Sequence, residues 1–192
     1  MTNGVDLDRY REPSREPAVL EARRGALVGQ MGWLQHEAEA LGPLLAALPA
    51  WAVDQAPLAT ERSVKETLQA LARLDRETYP AWLDAVTAPE ASGEGGEHAA
   101  PPAFTTPDLS ALGEGANDLD LDALLARVAE ARAPLAARVA AIPPEAWDRP
   151  LSLDGETMDL YGLVLRIVQR DADELKTLAY RLHGADLSQR QT

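Results

Sequence analysis

Cysteine is absent from the 192-residue chain, and its absence excludes several kinds of site at once. Without thiols the chain can form no disulfide, no thiolate metal site and no cysteine nucleophile. This composition fits a reducing compartment, and we expect a cytoplasmic protein. Aromatic residues make up only 5% of the chain, whereas alanine and leucine dominate, which favours helices over sheets.

Positive charge and long apolar runs are also scarce. The chain has 18 lysines and arginines against 31 aspartates and glutamates, for a formal net charge of −13. Because such a chain repels phosphate backbones and anionic lipids, we expect no nucleic-acid partner. No uncharged apolar run approaches the roughly 20 residues of a membrane span, and the N-terminal stretch lacks the apolar core of a signal peptide. We therefore expect no membrane association.

Four amphipathic segments make up most of the remaining sequence. Apolar residues recur in them at helical spacing, and Ser63–Glu66 has the capping-box pattern that begins a second helix. No segment alternates convincingly as a strand, so the sequence predicts an all-α four-helix bundle. We expect the first helix to begin near Glu16 and the third at Asn117 or Asp118. Three prolines inside the helical patterns predict kinks, splits or shortened helices: Pro43, Pro80 and Pro134.

Composition also divides the chain along its length. We predict a flexible arm over residues 1–15, one bundle domain over residues 16–184 and a flexible tail over residues 185–192. Within the domain, residues 88–117 are rich in Gly, Pro, Ala, Ser and Glu, and form either a disordered linker or a long crossover. A crossover would let the second and third helices run parallel, giving an up-down-down-up bundle.

Ionisable groups lie on the inward face of the last helical stretch, Thr157–His183. Asp171 and Glu174 share its apolar stripe, with Arg170 on the flank, and Asp75 falls on the inward face of the second helix. Burying unpaired charge is costly. The pattern therefore indicates either an internal salt bridge from Arg170 to Glu174, four residues apart, or the floor of a pocket between helices.

A metal site is not expected from these residues. Asp75, Asp171 and Glu174 together offer oxygen ligands for a hard cation, but Arg170 would compete for the same carboxylates. We expect no metal and no cofactor. The histidines share no helix face and do not form a metal triad in this interpretation: His36, His98 and His183.

Two motifs resemble those of the DinB-like (YfiT-like) superfamily. SVKETLQAL at residues 63–71 resembles W-S-x-K-E-x-L-x-H-L at the start of that family's second helix, and LRIVQRDADEL at residues 165–175 resembles I-x-x-H-D-x-x-H-L of its last helix. Their order and separation fit, as does the L-x-x-L-P connector at Leu45–Pro49. The resemblance spans about residues 20–182 and implies an up-down-down-up bundle that commonly dimerises.

The resemblance also implies what the family does. One histidine of helix two and two of helix four bind a divalent metal such as zinc or nickel. Several members are thiol-dependent transferases, others are uncharacterised proteins classed as metal-dependent hydrolases, and some are linked to DNA-damage or stress responses. Here the histidine positions are Ala70, Arg170 and Glu174, and Arg62 replaces the tryptophan before the capping serine. Because alanine cannot ligate and arginine stays protonated, the chain resembles a divergent member without the histidine triad.

The leading hypothesis is therefore a metal-free DinB-like protein, non-catalytic, with a binding or stress-associated role. We expect a homodimer that binds a small anionic molecule or a protein partner, and the alanine- and arginine-rich composition suggests a bacterial source. Arg170 would anchor an anionic group. The alternative is a thiol-dependent transferase or hydrolase with a rebuilt carboxylate site. No catalytic residue is assigned, and the candidate pocket comprises Ala70, Asp75, Arg170, Asp171 and Glu174.

Overall fold

The computed structural model describes residues 16–58, 60–88 and 100–190, and most of this length is helical. The helices in these ranges are α1 (Pro17–Ala46), α2 (Ala50–Asp54), α3 (Val64–Arg73), α4 (Tyr79–Thr87), α5 (Leu109–Gly113), α6 (Leu121–Ala140) and α7 (Leu160–Arg190). The strands are β1 (Ala103–Phe104), β2 (Pro150–Leu153) and β3 (Glu156–Asp159). Four helical units, namely α1, the α3–α4 pair, α6 and α7, form the predicted bundle, so the predicted fold class is confirmed.

Side-chain contacts show that the second and third bundle helices run parallel. Moving along both in the same direction, the following pairs meet in turn: Ser63 with Asn117, Gln69 with Arg127, Asp75 with Arg132, and Asp84 with Arg138. The chain must therefore return to the starting end of the bundle between these helices, as a crossover does.

Helix α7 runs antiparallel to the α3–α4 pair and parallel to α1. Arg181, late in α7, donates to Glu61, just before α3 begins. At the other end, the guanidinium of Arg23 in α1 lies 4.7 Å from the ring centroid of Tyr161, in the first turn of α7. The four helices thus follow the predicted up-down-down-up order.

The start of α3 matches the predicted capping box. The Ser63 hydroxyl accepts from the backbone N–H of Glu66 (3.0 Å), and the Glu66 carboxylate accepts from the backbone N–H of Ser63 (2.7 Å). Asn117, predicted as a cap of the third helix, instead accepts from the Ser63 hydroxyl at 2.6 Å and donates to Glu66 at 3.2 Å. Helix α6 is capped by Asp120, so the predicted start of the third helix is wrong by a few residues.

The prolines disturb the helices less than expected. A π-helical segment, Leu74–Thr78, joins α3 to α4, and Pro80 lies in the first turn of α4. Because proline has no N–H to donate, the altered hydrogen bonding just before it accommodates the missing donor. Pro43 and Pro134 lie inside α1 and α6, and neither splits its helix.

The prediction that the chain has no strand is wrong. Strand β2 pairs in parallel with β1 and antiparallel with β3, forming a small three-stranded sheet. The β2–β3 turn contains Asp154 and Gly155, both with positive φ, which is the Asp-Gly signature of a tight hairpin. Residues 100–117, more than half of the predicted linker, include β1 and α5, whereas residues 89–99 and the arm 1–15 lie outside the described residues. Helix α7 also continues past the predicted boundary at residue 184.

Two apolar clusters fill the bundle. The first surrounds the fully buried Trp147 and includes Met31, Leu83 and Ile167 at the end where the sheet lies. The second lies at the opposite end and includes the following buried residues: Leu45, Val53, Leu68, Leu124 and Leu178. Within the described ranges, no helix has the length and apolar content needed to cross a membrane.

Candidate functional site

A charged network lies where the two apolar clusters meet. Asp75 comes from the π-helical segment, Arg132 from the middle of α6 and Asp171 from α7, and all three are at most 3% exposed. Arg132 forks onto Asp75 through Nε–Oδ2 (2.6 Å) and Nη2–Oδ1 (3.1 Å), and its Nη1 donates to Asp171 Oδ2 at 2.5 Å. A single guanidinium thus bridges three of the four bundle helices.

Burial sets the charge of this network. It raises the pKa of Asp75 to about 7, although the guanidinium of Arg132 opposes the rise and Asp171 adds to it. Burial likewise raises the pKa of Asp171 above its usual range, again against the effect of Arg132. Burial also lowers the pKa of Arg132, but the two carboxylates more than compensate, and Arg132 stays charged.

Two carboxylates and one guanidinium are neutral together only when the pair of acids retains one proton. Both oxygens of Asp75 accept from Arg132, whereas Asp171 Oδ1 is buried and accepts no hydrogen bond within the described structure. The two carboxyls therefore titrate as a coupled pair that shares one proton, and Asp171 Oδ1 is the oxygen of this pair that accepts from no donor among the described residues. A low-dielectric interior favours this neutral form over one with net charge.

The predicted Arg170–Glu174 salt bridge is wrong. Glu174 instead pairs with Arg62 at 2.5 Å across the bundle. Arg170 is half-buried and donates to the Thr106 hydroxyl at 3.5 Å. It lies close enough to lower the pKa of both Asp171 and Tyr79, although burial and Asp171 raise the pKa of Tyr79 overall. The spacing of Arg170 and Glu174 permits an ion pair, but each side chain instead contacts a residue distant in sequence.

The positions that the resemblance aligns with the family's motif residues contact each other in part. Arg62 stands at the tryptophan position and Glu174 at a histidine position, and their side chains form the ion pair across 112 residues of sequence. Ala70, at the remaining helix-two position, is buried on α3 and offers no ligand atom. Asp75, Arg170, Asp171 and Glu174 lie in one electrostatically coupled region, in which both Arg170 and Glu174 shift the pKa of Asp171.

These residues do not fit a divalent metal. A guanidinium already occupies the space between the Asp75 and Asp171 carboxylates. Among the described residues, no three histidine, aspartate or glutamate side chains converge as ligands. Metal chemistry at the position implied by the resemblance therefore has no ligand set in this part of the chain.

Sequence reasoning missed Arg132, although a signal for it existed. Arg132 lies four residues after Val128 and three before Leu135, both buried members of the α6 stripe, so the helical period places it inward. Arg62 had no comparable signal, because it lies in an irregular connector and its partner is distant in sequence.

Comparison with known proteins agrees at the level of fold. The chain is similar to YfiT from Bacillus subtilis, described as a probable metal-dependent hydrolase with an unusual four-helix bundle topology. The TM-score is 0.61 at 14% sequence identity, over 88% of this chain and 89% of the YfiT chain. No family model and no curated protein matches the sequence. The comparison thus supports the four-helix bundle fold.

Proposed function

We propose that this protein is a DinB-like bundle that has lost the family's metal site and acts by binding rather than by metal-dependent catalysis. The observation that carries the proposal is the position of Arg132, whose guanidinium lies between Asp75 and Asp171 in the interior. It supplies the positive charge that a divalent cation would otherwise provide to buried carboxylates. Ala70 and Arg170 support the same conclusion, because alanine has no ligand atom and arginine stays protonated.

The proposal predicts a protein that retains no stoichiometric metal. Untagged protein would be incubated separately with zinc, nickel and manganese, desalted, and measured by elemental analysis. We expect far less than one equivalent per chain, because the described residues provide no ligand set. One equivalent per chain that is lost in Glu174→Ala would contradict the proposal.

A second candidate is a transferase or hydrolase with a rebuilt carboxylate site. The observation in its favour is Asp75, whose pKa of about 7 suits general acid–base catalysis near neutral pH. Asp75 is only 1% exposed, however, and Arg132 occupies both of its oxygens. Turnover of thiol-conjugation or ester substrates that disappears in both Asp75→Asn and Asp171→Asn would favour this candidate.

We also propose that the protein forms a homodimer with a stress-associated role. Trp33 and Leu44 lie eleven residues apart on α1, about three helical turns, so they share one face. Their exposed fractions of 57% and 58% leave an apolar surface that a second copy would cover. Light scattering of wild type and Trp33→Glu measures the dimer, and a wild type that is monomeric at micromolar concentration would contradict it.

A further inference from the structure

A second polar feature lies between the parallel α3–α4 and α6 helices, and it includes neither Asp75, Arg132 nor Asp171. It is a groove of about 310 Å³, hereafter the arginine groove. It is lined by Gln69, Ala72, Arg73, Arg76, Glu77 and Arg127. Gln69 and Ala72 are buried, Arg73 and Arg127 are half-buried, and Arg76 and Glu77 are exposed. The groove thus has buried residues beneath and charged side chains around it.

The three arginines of this groove lack acidic partners within the described structure. Arg127 donates to the neutral Gln69 side chain at 3.3 Å, and among the described residues neither Arg73 nor Arg76 forms an ion pair. This is unusual in a chain with 31 acidic residues. Several arginines elsewhere do pair with carboxylates: Arg24, Arg62, Arg132, Arg138, Arg166 and Arg181.

Glu77 is the acidic member of the groove and does not neutralise it. It lies four residues after Arg73, and an arginine placed before its acidic partner is the less favourable order on a helix. Three guanidiniums and one carboxylate leave the lining with two net positive charges. The Gln69 amide adds a neutral hydrogen-bonding group beside Arg127.

We propose that the arginine groove binds a small molecule carrying a phosphate group. A phosphate monoester carries about −1.5 to −2 charge at pH 7, which matches the net charge of the lining. Guanidiniums bind phosphate oxygens through paired N–H groups, in a geometry that ammonium groups do not provide. The volume lies at the lower end of the range for small-molecule sites, and the strong negative charge of the whole chain disfavours a polyanion.

The site is independent of the interior network and of any metal, so its test is separate from that of the proposed function. Inorganic phosphate and glycerol phosphate serve as probes in calorimetric titrations of the full chain at low ionic strength. Arg76→Gln and Arg127→Gln should each weaken binding about tenfold, because each removes charged hydrogen bonds to the anion. The matched control, Arg138→Gln, changes net charge equally outside the groove and should alter the affinity less than about twofold.

Removing the groove's own acid gives a change of opposite sign. Glu77→Gln should tighten phosphate binding, whereas Glu145→Gln, an exposed acid elsewhere, should not. Amide chemical shifts of Gln69 and Arg127 in the wild type should move on titration, which tests the location without any substitution. No binding by the wild type at millimolar phosphate would overturn the inference. Equal binding by the Arg76 and Arg138 variants, or equal affinity for acetate and phosphate, would overturn it as well.

Discussion

A methionine in place of Arg132 would keep much of the side-chain volume but leave the Asp75 and Asp171 carboxyls in the interior without their guanidinium. Breaking a buried ion pair in this way costs about 3–5 kcal/mol. We therefore expect the free energy of unfolding of Arg132→Met, measured with urea, to fall by about that amount. Arg138→Met provides the control, since Arg138 and Asp84 are exposed and their pair contributes little. Similar losses in both variants would contradict the account.

Protonation of the same network predicts an unusual pH dependence. The folded-state pKa of Asp75 is about 7, above its usual 3.8, and that of Asp171 is also raised. The native state therefore holds a proton that the unfolded chain releases. This contribution to stability is fully present below pH 4 and is lost as pH rises through about 7. Its slope reaches up to about 1.4 kcal/mol per pH unit for one proton.

Asparagine substitutions distinguish the two carboxyls in this pH profile. Asp171→Asn removes one acid of the coupled pair, so its unfolding free energy should not show the decrease from about pH 4 to about pH 7 that the wild type shows. Asp75→Asn disrupts the paired hydrogen bonds from Arg132 and should be destabilised by about 1.5–3 kcal/mol at every pH. Urea unfolding at several pH values measures both. Parallel profiles for wild type and Asp171→Asn would show that Asp171 takes no part in this coupled titration.

For individual residues, the sequence predicts which side chains are buried better than it predicts which side chains they contact. Helical period alone places Asp75 and Asp171 inward, and both are buried. The same period places Arg132 inward, but one helix pattern does not reveal which side chain from another helix it meets. The Arg62–Glu174 pair shows the limit most clearly, because a local i,i+4 partner for Glu174 was available and was not used.

Among the elements, the crossover depends on a close approach of two helices at Gly113. A Cβ at this position would lie 2.7 Å from the Glu66 carbonyl oxygen, which is backbone and cannot move aside alone. We expect Gly113→Ala to lower the free energy of unfolding by about 1–3 kcal/mol. Gly29→Ala is the matched control, since nothing lies within 4 Å of its Cβ and alanine favours the helix. Thermal unfolding measures both, and a neutral Gly113→Ala would show that α5 does not pack closely on α3.

The sequence predicts a helix or strand boundary well where neighbouring residues alone determine it. The capping box at Ser63–Glu66 fixes the start of α3 from neighbouring residues. The start of α6 was predicted too early, because Asn117 is a good cap in isolation but its side chain bonds to Ser63 and Glu66 instead. The sheet was missed because its strands are short, although the Asp154–Gly155 turn carried a hairpin signal.

For the whole molecule, the up-down-down-up order was predictable because a long connection allows parallel neighbours, and the resemblance implied the same order. The structure shows it through paired contacts that advance together along α3–α4 and α6. The charged network in the interior was not predictable in the same way. It depends on three side chains from three helices, and only two of them, Asp75 and Asp171, stood out in the sequence.

The most direct measurement of the central claim is thermal unfolding of the wild type with zinc, nickel or manganese and, separately, with a chelator. A ligand that binds only the native state raises the unfolding temperature as its concentration rises. Because Arg132 occupies the space between the carboxylates, the account predicts the same unfolding temperature in every condition. A metal-dependent rise that the chelator reverses and that disappears in Glu174→Ala would contradict it and restore a metal site to this bundle.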